Sequence, residues 1–240
     1  MAVNNSVIER TRQGMLEKKS IKPNTIHIVA STSGVFFGLF SSINHGIFEI
    51  LQGNIPTESV LIHAIGENQK FWVLGKEDAF TLIPNFLVTG ILSIIVGVAI
   101  VIWSIWFLRS KHGSKVFLGL FVLSFLVGGG IGQVAFFLPA WAFSTRIEKP
   151  LTWWRKTLPV TIRRFLSKTW AYWLIAATIV MLFAVEIAVF GIIPGISEPK
   201  VIQNTTMILV LSAVILFVLA HISGIAHEIE KNQRPESGSN

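Results

Sequence analysis

His45 and Glu49 are the two residues of this chain best spaced for chemistry. One helical turn apart, they share a helix face and can share a proton or a ligand. Both lie in an apolar stretch long enough to cross a membrane, where an ionisable side chain marks a functional site by default. Together they offer an acid and a base for work on a buried substrate. The H-x-x-x-E spacing also suits a divalent cation, but two ligands fall short of a metal site, and no metal or cofactor is assigned. The plainer reading is structural: Glu49 reaches the outer headgroups, and His45 hydrogen-bonds Asn85, which opens the next apolar stretch at similar depth. Glu186 is the third catalytic candidate. A bare carboxylate in lipid costs about 2.5–3.5 kcal/mol on insertion scales, so it needs a partner or a proton. The glycine-rich stretch or Gln133 is its expected partner, and His45, Glu49, Asn85 and Gln133 form the expected polar cluster.

The helix that carries the pair has a distinctive face. His27, Ser31, Gly34, Gly38, Ser41, His45 and Glu49 recur at steps of three and four, while the other faces are rich in Phe and Ile. A second stretch carries a matching stripe of Asn85, Thr89, Ser93, Gly97 and Ser104. Small residues let membrane helices approach closely. Gly34, Gly38, Ser41, Thr89, Ser93 and Gly97 are therefore read as one packing seam between two helices.

These helices belong to a chain of 240 residues with a mean hydropathy of +0.63 and 14% charged residues. Those values predict an all-α, polytopic membrane helix bundle with no soluble domain of usual size. The absence of cysteine excludes disulfides, thiolate metal sites and cysteine nucleophiles. Spans are predicted at about 25–51, 82–108, 169–193 and 204–224, against the roughly 20 residues a crossing needs. A polar, basic segment at 1–24, too polar for a signal peptide, precedes them, and a polar, solvated tail at 225–240 follows. Within the first connection, 57–66 reads as a short surface helix with Thr57 as its N-cap, and Trp72 as an interfacial anchor. Residues 151–168 place Trp154, Leu158, Ile162 and Phe165 at helical spacing among Arg155, Lys156, Arg163, Arg164 and Lys168. That pattern predicts a basic amphipathic helix lying on anionic lipid.

The stretch 116–143 is apolar but broken by Gly128, Gly129, Gly130 and Gly132. Each glycine costs up to ~1 kcal/mol in a helix against alanine. The segment either crosses once as a long tilted helix or enters, turns and leaves on the same side. The basic residues discriminate. A single crossing divides them almost evenly between the two sides. A re-entrant path puts all of the 20 lysines and arginines except Lys70, Lys76 and Lys200 on one side, as the positive-inside rule requires. The expectation is a multi-pass protein of the cell membrane with a re-entrant segment and both termini cytoplasmic. Its formal charge of +7 is assigned to anionic lipid rather than nucleic acid. A second copy or another membrane protein is the further expected partner.

The stretch LIPNFLVTGI at 82–91, GGGIG at 128–132 and PLTWWRK at 150–156 together resemble a group of uncharacterised bacterial multi-pass membrane proteins. The resemblance covers about residues 82–156. That group continues its glycine run with prolines, whereas Gln133-Val134 stand here and Pro139 follows later. The resemblance implies a multi-pass membrane fold and brings no activity, substrate or site.

No P-loop, Rossmann glycine fingerprint, G-x-S-x-G or zinc signature is present. The preferred reading is a small transporter, permease-like or accessory membrane component, ahead of an enzyme, and the enzyme question stays open. One alternative is an intramembrane enzyme acting on a lipid or isoprenoid through His45, Glu49 and Glu186. The other is a non-catalytic sensor or partner-binding protein. An enzyme needs an apolar pocket beneath His45 and Glu49, a transporter needs a polar path to both faces, and an accessory protein shows neither and exposes an apolar flank.

Overall fold

The computed structural model describes residues 24–233, the side chain of Gln133 excepted. The basic segment 1–23 and the tail 234–240 lie outside the described residues. The fold is an all-α bundle in which, among the described residues, four helices are long and apolar enough to cross a membrane: α1 (Thr25–Leu51), α2 (Phe86–Phe107), α6 (Val160–Phe190) and α7 (Pro199–Gln233). Three shorter helices, α3 (Gly113–Leu126), α4 (Val134–Ser144) and α5 (Thr152–Thr157), lie between α2 and α6. A small antiparallel sheet joins β1 (Leu61–His63), β2 (Asp78–Thr81) and β3 (Val127–Gly130).

The two small-residue stripes do pack against each other. Ser93 Oγ donates to the Ser42 carbonyl at 2.9 Å. A Cβ on Gly38 would sit 2.7 Å from the Gly97 carbonyl oxygen, and one on Gly46 2.6 Å from that of Gly90. Only glycine allows these backbones to come so close. At the seam α1 widens into a π-helical turn over Gly38–Ile43 before resuming at Asn44. Asn24 starts α1 by accepting from His27 N–H, and Asn85 starts α2 by accepting from Val88 N–H.

The glycine stretch is neither one helix nor a loop. Helix α3 stops at Leu126, the chain extends through β3, and α4 begins at Val134 after a single 3₁₀ turn. Val127 to Gly130 are fully buried, so their backbone groups need partners within the protein. β2 supplies them, pairing Ala79 with Gly130 and Thr81 with Val127 across a bulge. Thr89 Oγ1 adds a donor to the Val127 carbonyl at 2.8 Å. Both ends of this segment lie at one end of the bundle. Trp103 Nε1–H at the end of α2 donates to the Gly113 carbonyl, and Arg109 pairs with Glu148 beyond α4.

Several sequence expectations need correction. Residues 57–66 contain β1 rather than a helix, because Leu61–His63 pair with β2 in register with Phe80, Ala79 and Asp78. The basic stretch 151–168 is not one interfacial helix. Pro159, which has no N–H to continue the ladder, separates α5 from α6, and Val160–Lys168 forms the start of α6 itself. At 31 residues α6 is about 46 Å long, so its basic first turns project past a hydrocarbon core of roughly 30 Å. The last helix also runs on: 225–233 are helical rather than a solvated tail, with Ile225, Ala226, Glu228 and Ile229 buried.

The bundle therefore has two chemically distinct ends. The basic end gathers Thr25, the 108–112 link, the 145–159 connection and the last turns of α7. The loop end holds the 52–85 connection with its sheet and the 191–198 link. Glu228 Oε2 accepts from Thr25 N–H at 3.0 Å, fastening the last helix to the start of the first. Across the loop end, Trp72 Nε1–H donates to the Ala188 carbonyl at 2.9 Å and its ring covers Gly191. Trp72 thus clamps the loop to α6 rather than anchoring it in lipid.

Candidate functional site

His45 lies in the last turns of α1 and is 2% exposed. Its partner is neither Glu49 nor Asn85. Its Nε2 lies 2.5 Å from Oε2 of Glu77, which comes from the loop just before β2. The adjacent Asp78 holds His63 across the β1–β2 pair at 2.7 Å. The Glu77 side chain is 31% exposed, yet burial still pushes its pKa upward. The charge of His45 and their hydrogen bond outweigh that push and hold the carboxyl below the ordinary carboxylate range.

Glu49 sits one turn further along and is completely buried. Neither of its carboxyl oxygens has a hydrogen-bond partner among the described residues. It is seated on the glycine break: a Cβ on Gly128 would lie 2.5 Å from both of its oxygens. Gly128 has φ of +107°, a backbone state that side chains rarely adopt, so two constraints fix glycine there. Asn85 is turned away from this region, donating to Asn54 Oδ1 at 2.8 Å. The expected four-residue cluster is therefore not assembled. His45 and Glu49 stay on one face, Asn85 belongs to a helix cap, and the Gln133 side chain is outside the described residues.

Glu186 is also displaced from expectation. It is exposed on α6, one turn from the helix end at Phe190, and neither the glycine stretch nor any other described residue pairs with it. Arg163, expected on the lipid surface, is 6% exposed and bound to Glu230 at 2.5 Å. Arg155, Lys156, Arg164 and Lys168 remain exposed.

His45 and Glu77 belong to the wall of a cleft of about 570 Å³. That wall is polar: Asn44 and His45 from α1, Glu77 and Asp78 from the loop, and the Gly130–Gly132 backbone. The facing wall is apolar, made by Met181, Ala184 and Ala188 of α6 with Met207 and Val210 of α7. Phe40 and Phe136 lie one turn deeper on their helices. Nothing in the sequence singles out Glu77, a loop acid 32 residues from its histidine. Nor is His221 singled out there. It is buried in α7, where its Nδ1 donates to the Phe217 carbonyl at 2.7 Å and its ring stacks on Phe143.

Among the described residues, four helices apolar and long enough to cross a membrane, two of them packed along a buried polar seam, define an integral membrane protein. No protein-family model, curated protein or solved structure matches the chain.

Proposed function

We propose that this integral membrane protein holds an amphiphilic lipid in the cleft, as a permease-like or accessory component of the cell membrane. One observation carries the reading: a cleft of about 570 Å³ has a polar wall at His45 and Glu77 facing an apolar wall on α6 and α7. An amphiphile satisfies both walls at once, with its head against the polar groups and its chain against the methionines and alanines. A polar solute would leave the apolar wall unpaired and would meet Phe40 and Phe136 below.

The orientation proposed with it has the basic end in the cytoplasm and α3–β3–α4 as a re-entrant segment. The distribution of charge supports this, since among the described residues only Lys70, Lys76 and Lys200 bring basic charge to the loop end. The Arg109–Glu148 pair supports the return of the segment to its starting side.

Filling the cleft tests the reading. Ala188→Trp in the apolar wall is expected to remove most of the lipid that copurifies with the protein in mild detergent, measured by mass spectrometry of the extract. Ile208→Trp, on the outward face of α7 at 64% exposure, is expected to leave it in place. Equal lipid retention in the two variants would overturn the cleft as the binding site.

The His45–Glu77 pair favours a second reading, an enzyme acting on the lipid or isoprenoid it holds. A histidine oriented by a carboxylate is a competent general base. Its catalytic pair is then His45 with Glu77, not His45 with Glu49. Under this reading His45→Ala abolishes turnover of the copurifying lipid while retaining the lipid itself.

A further inference from the structure

The basic end of the bundle has a recess of its own, about 200 Å³, between residues 149–152, α5 and the last turn of α7. Lys149 and Arg155 line one side, and Asn232 and Gln233 the other. The acids nearby are already engaged. Glu148 pairs with Arg109, Glu230 with Arg163, and Glu228 with the Thr25 N–H and Lys231. Lys149 and Arg155 have no carboxylate partner among the described residues.

Arg163 does not line the recess but holds two residues that do, Arg155 and Gln233. Its Nε donates to Glu230 at 2.5 Å, its Nη1 to the Arg155 carbonyl at 3.4 Å and its Nη2 to Gln233 Oε1 at 3.3 Å. A guanidinium only donates, so it takes the amide oxygen of Gln233 and leaves the amide NH₂ as the group available to a ligand. One buried arginine thereby cancels an acid, steadies α5 and orients an amide donor. Trp153 on α5 is 63% exposed, the setting of a tryptophan at the headgroup level of a bilayer.

We propose that this recess is a phosphate site, taking the phosphate of an anionic lipid headgroup or the free anion. Lys149 supplies a point charge, Arg155 a planar fork matched to phosphate oxygens, and Asn232 and Gln233 neutral donors. Arg163 is a positioning residue and does not touch the ligand. The site is independent of the cleft, which lies at the opposite end of α7.

The test uses the purified full chain in detergent, titrated separately with dioleoyl phosphatidylglycerol, dioleoyl phosphatidylcholine and inorganic phosphate. Intrinsic tryptophan fluorescence and thermal unfolding are the readouts. Phosphatidylglycerol is expected to bind and raise Tm, and phosphatidylcholine is not. A response to phosphatidylglycerol alone identifies the lipid as the source, and an equal response to inorganic phosphate identifies the free anion. Lys149→Gln and Arg155→Gln are each expected to weaken binding about fivefold, the effect of one basic residue on an anionic membrane ligand. Lys168→Gln, exposed on α6 outside the recess, is expected to change it by less than about twofold. Lys149 is exposed, so its variant gives a reading even if Arg155→Gln fails to fold. No response to phosphatidylglycerol or to inorganic phosphate, an equal response to phosphatidylcholine, or an equal loss at Lys168 would overturn the site.

Discussion

A carboxylate that gains a charged hydrogen-bond partner on folding ties stability to pH, and Glu77 is such a residue. Its folded-state pKa lies below the ordinary carboxylate value because His45 outweighs the effect of burial. The sign follows: its contribution is present above the unfolded pKa of about 4.3 and is lost as pH falls through the lower folded value. The expected result is that wild type exceeds Glu77→Gln in Tm at pH 6, and that the gap narrows as pH falls through 4. A gap independent of pH would show that the pair contributes through packing alone. The histidine was legible in the sequence because an ionisable group stood out against an apolar helix. Its partner was not, because an acid in a polar loop looks like any solvated acid until the loop is folded back. Glu49 stands out in the sequence for the same reason as His45, but its contact is the Gly128 backbone rather than lipid headgroups.

At the scale of elements, the four crossing helices were readable from hydropathy alone, and the small-residue stripes even gave the α1–α2 seam. The sheet was not readable. Its third strand, VGGG, has no alternation of apolar and polar residues and pairs with a strand 46 or more residues earlier. The sequence marked only that a helix must fail there. What replaces the helix depends on β2 arriving to satisfy the exposed backbone. Bulk at the break should therefore be costly. Gly129→Leu is expected to destabilise the protein by about 2–3 kcal/mol, since a Cβ there would lie 2.6 Å from Ser124 Oγ. Gly119→Leu, in α3 with open space around it, is expected to cost less than about 1 kcal/mol. Denaturation in detergent compares the two, and equal stability would remove any special role from the break.

At the scale of the whole molecule, the ends of the bundle differ in charge, and a chain without cysteine makes orientation easy to probe. Single cysteines at Ser110, Thr157 and Ser197 all fall on exposed positions. In intact cells a membrane-impermeant thiol reagent is expected to label position 197 and to spare 110 and 157. Labelling of 157 without 110 would require the glycine segment to cross the membrane. The Thr25–Glu228 bond adds a consequence in time. A ribosome releases the first span long before it has made the last, so during synthesis the leading helix enters the bilayer without the acceptor that later holds its first turn. The seam with α2 is available within tens of residues, but the start of α1 is fastened only when α7 arrives. Assembly of this bundle is thus a zipper fastened last at the place where it began.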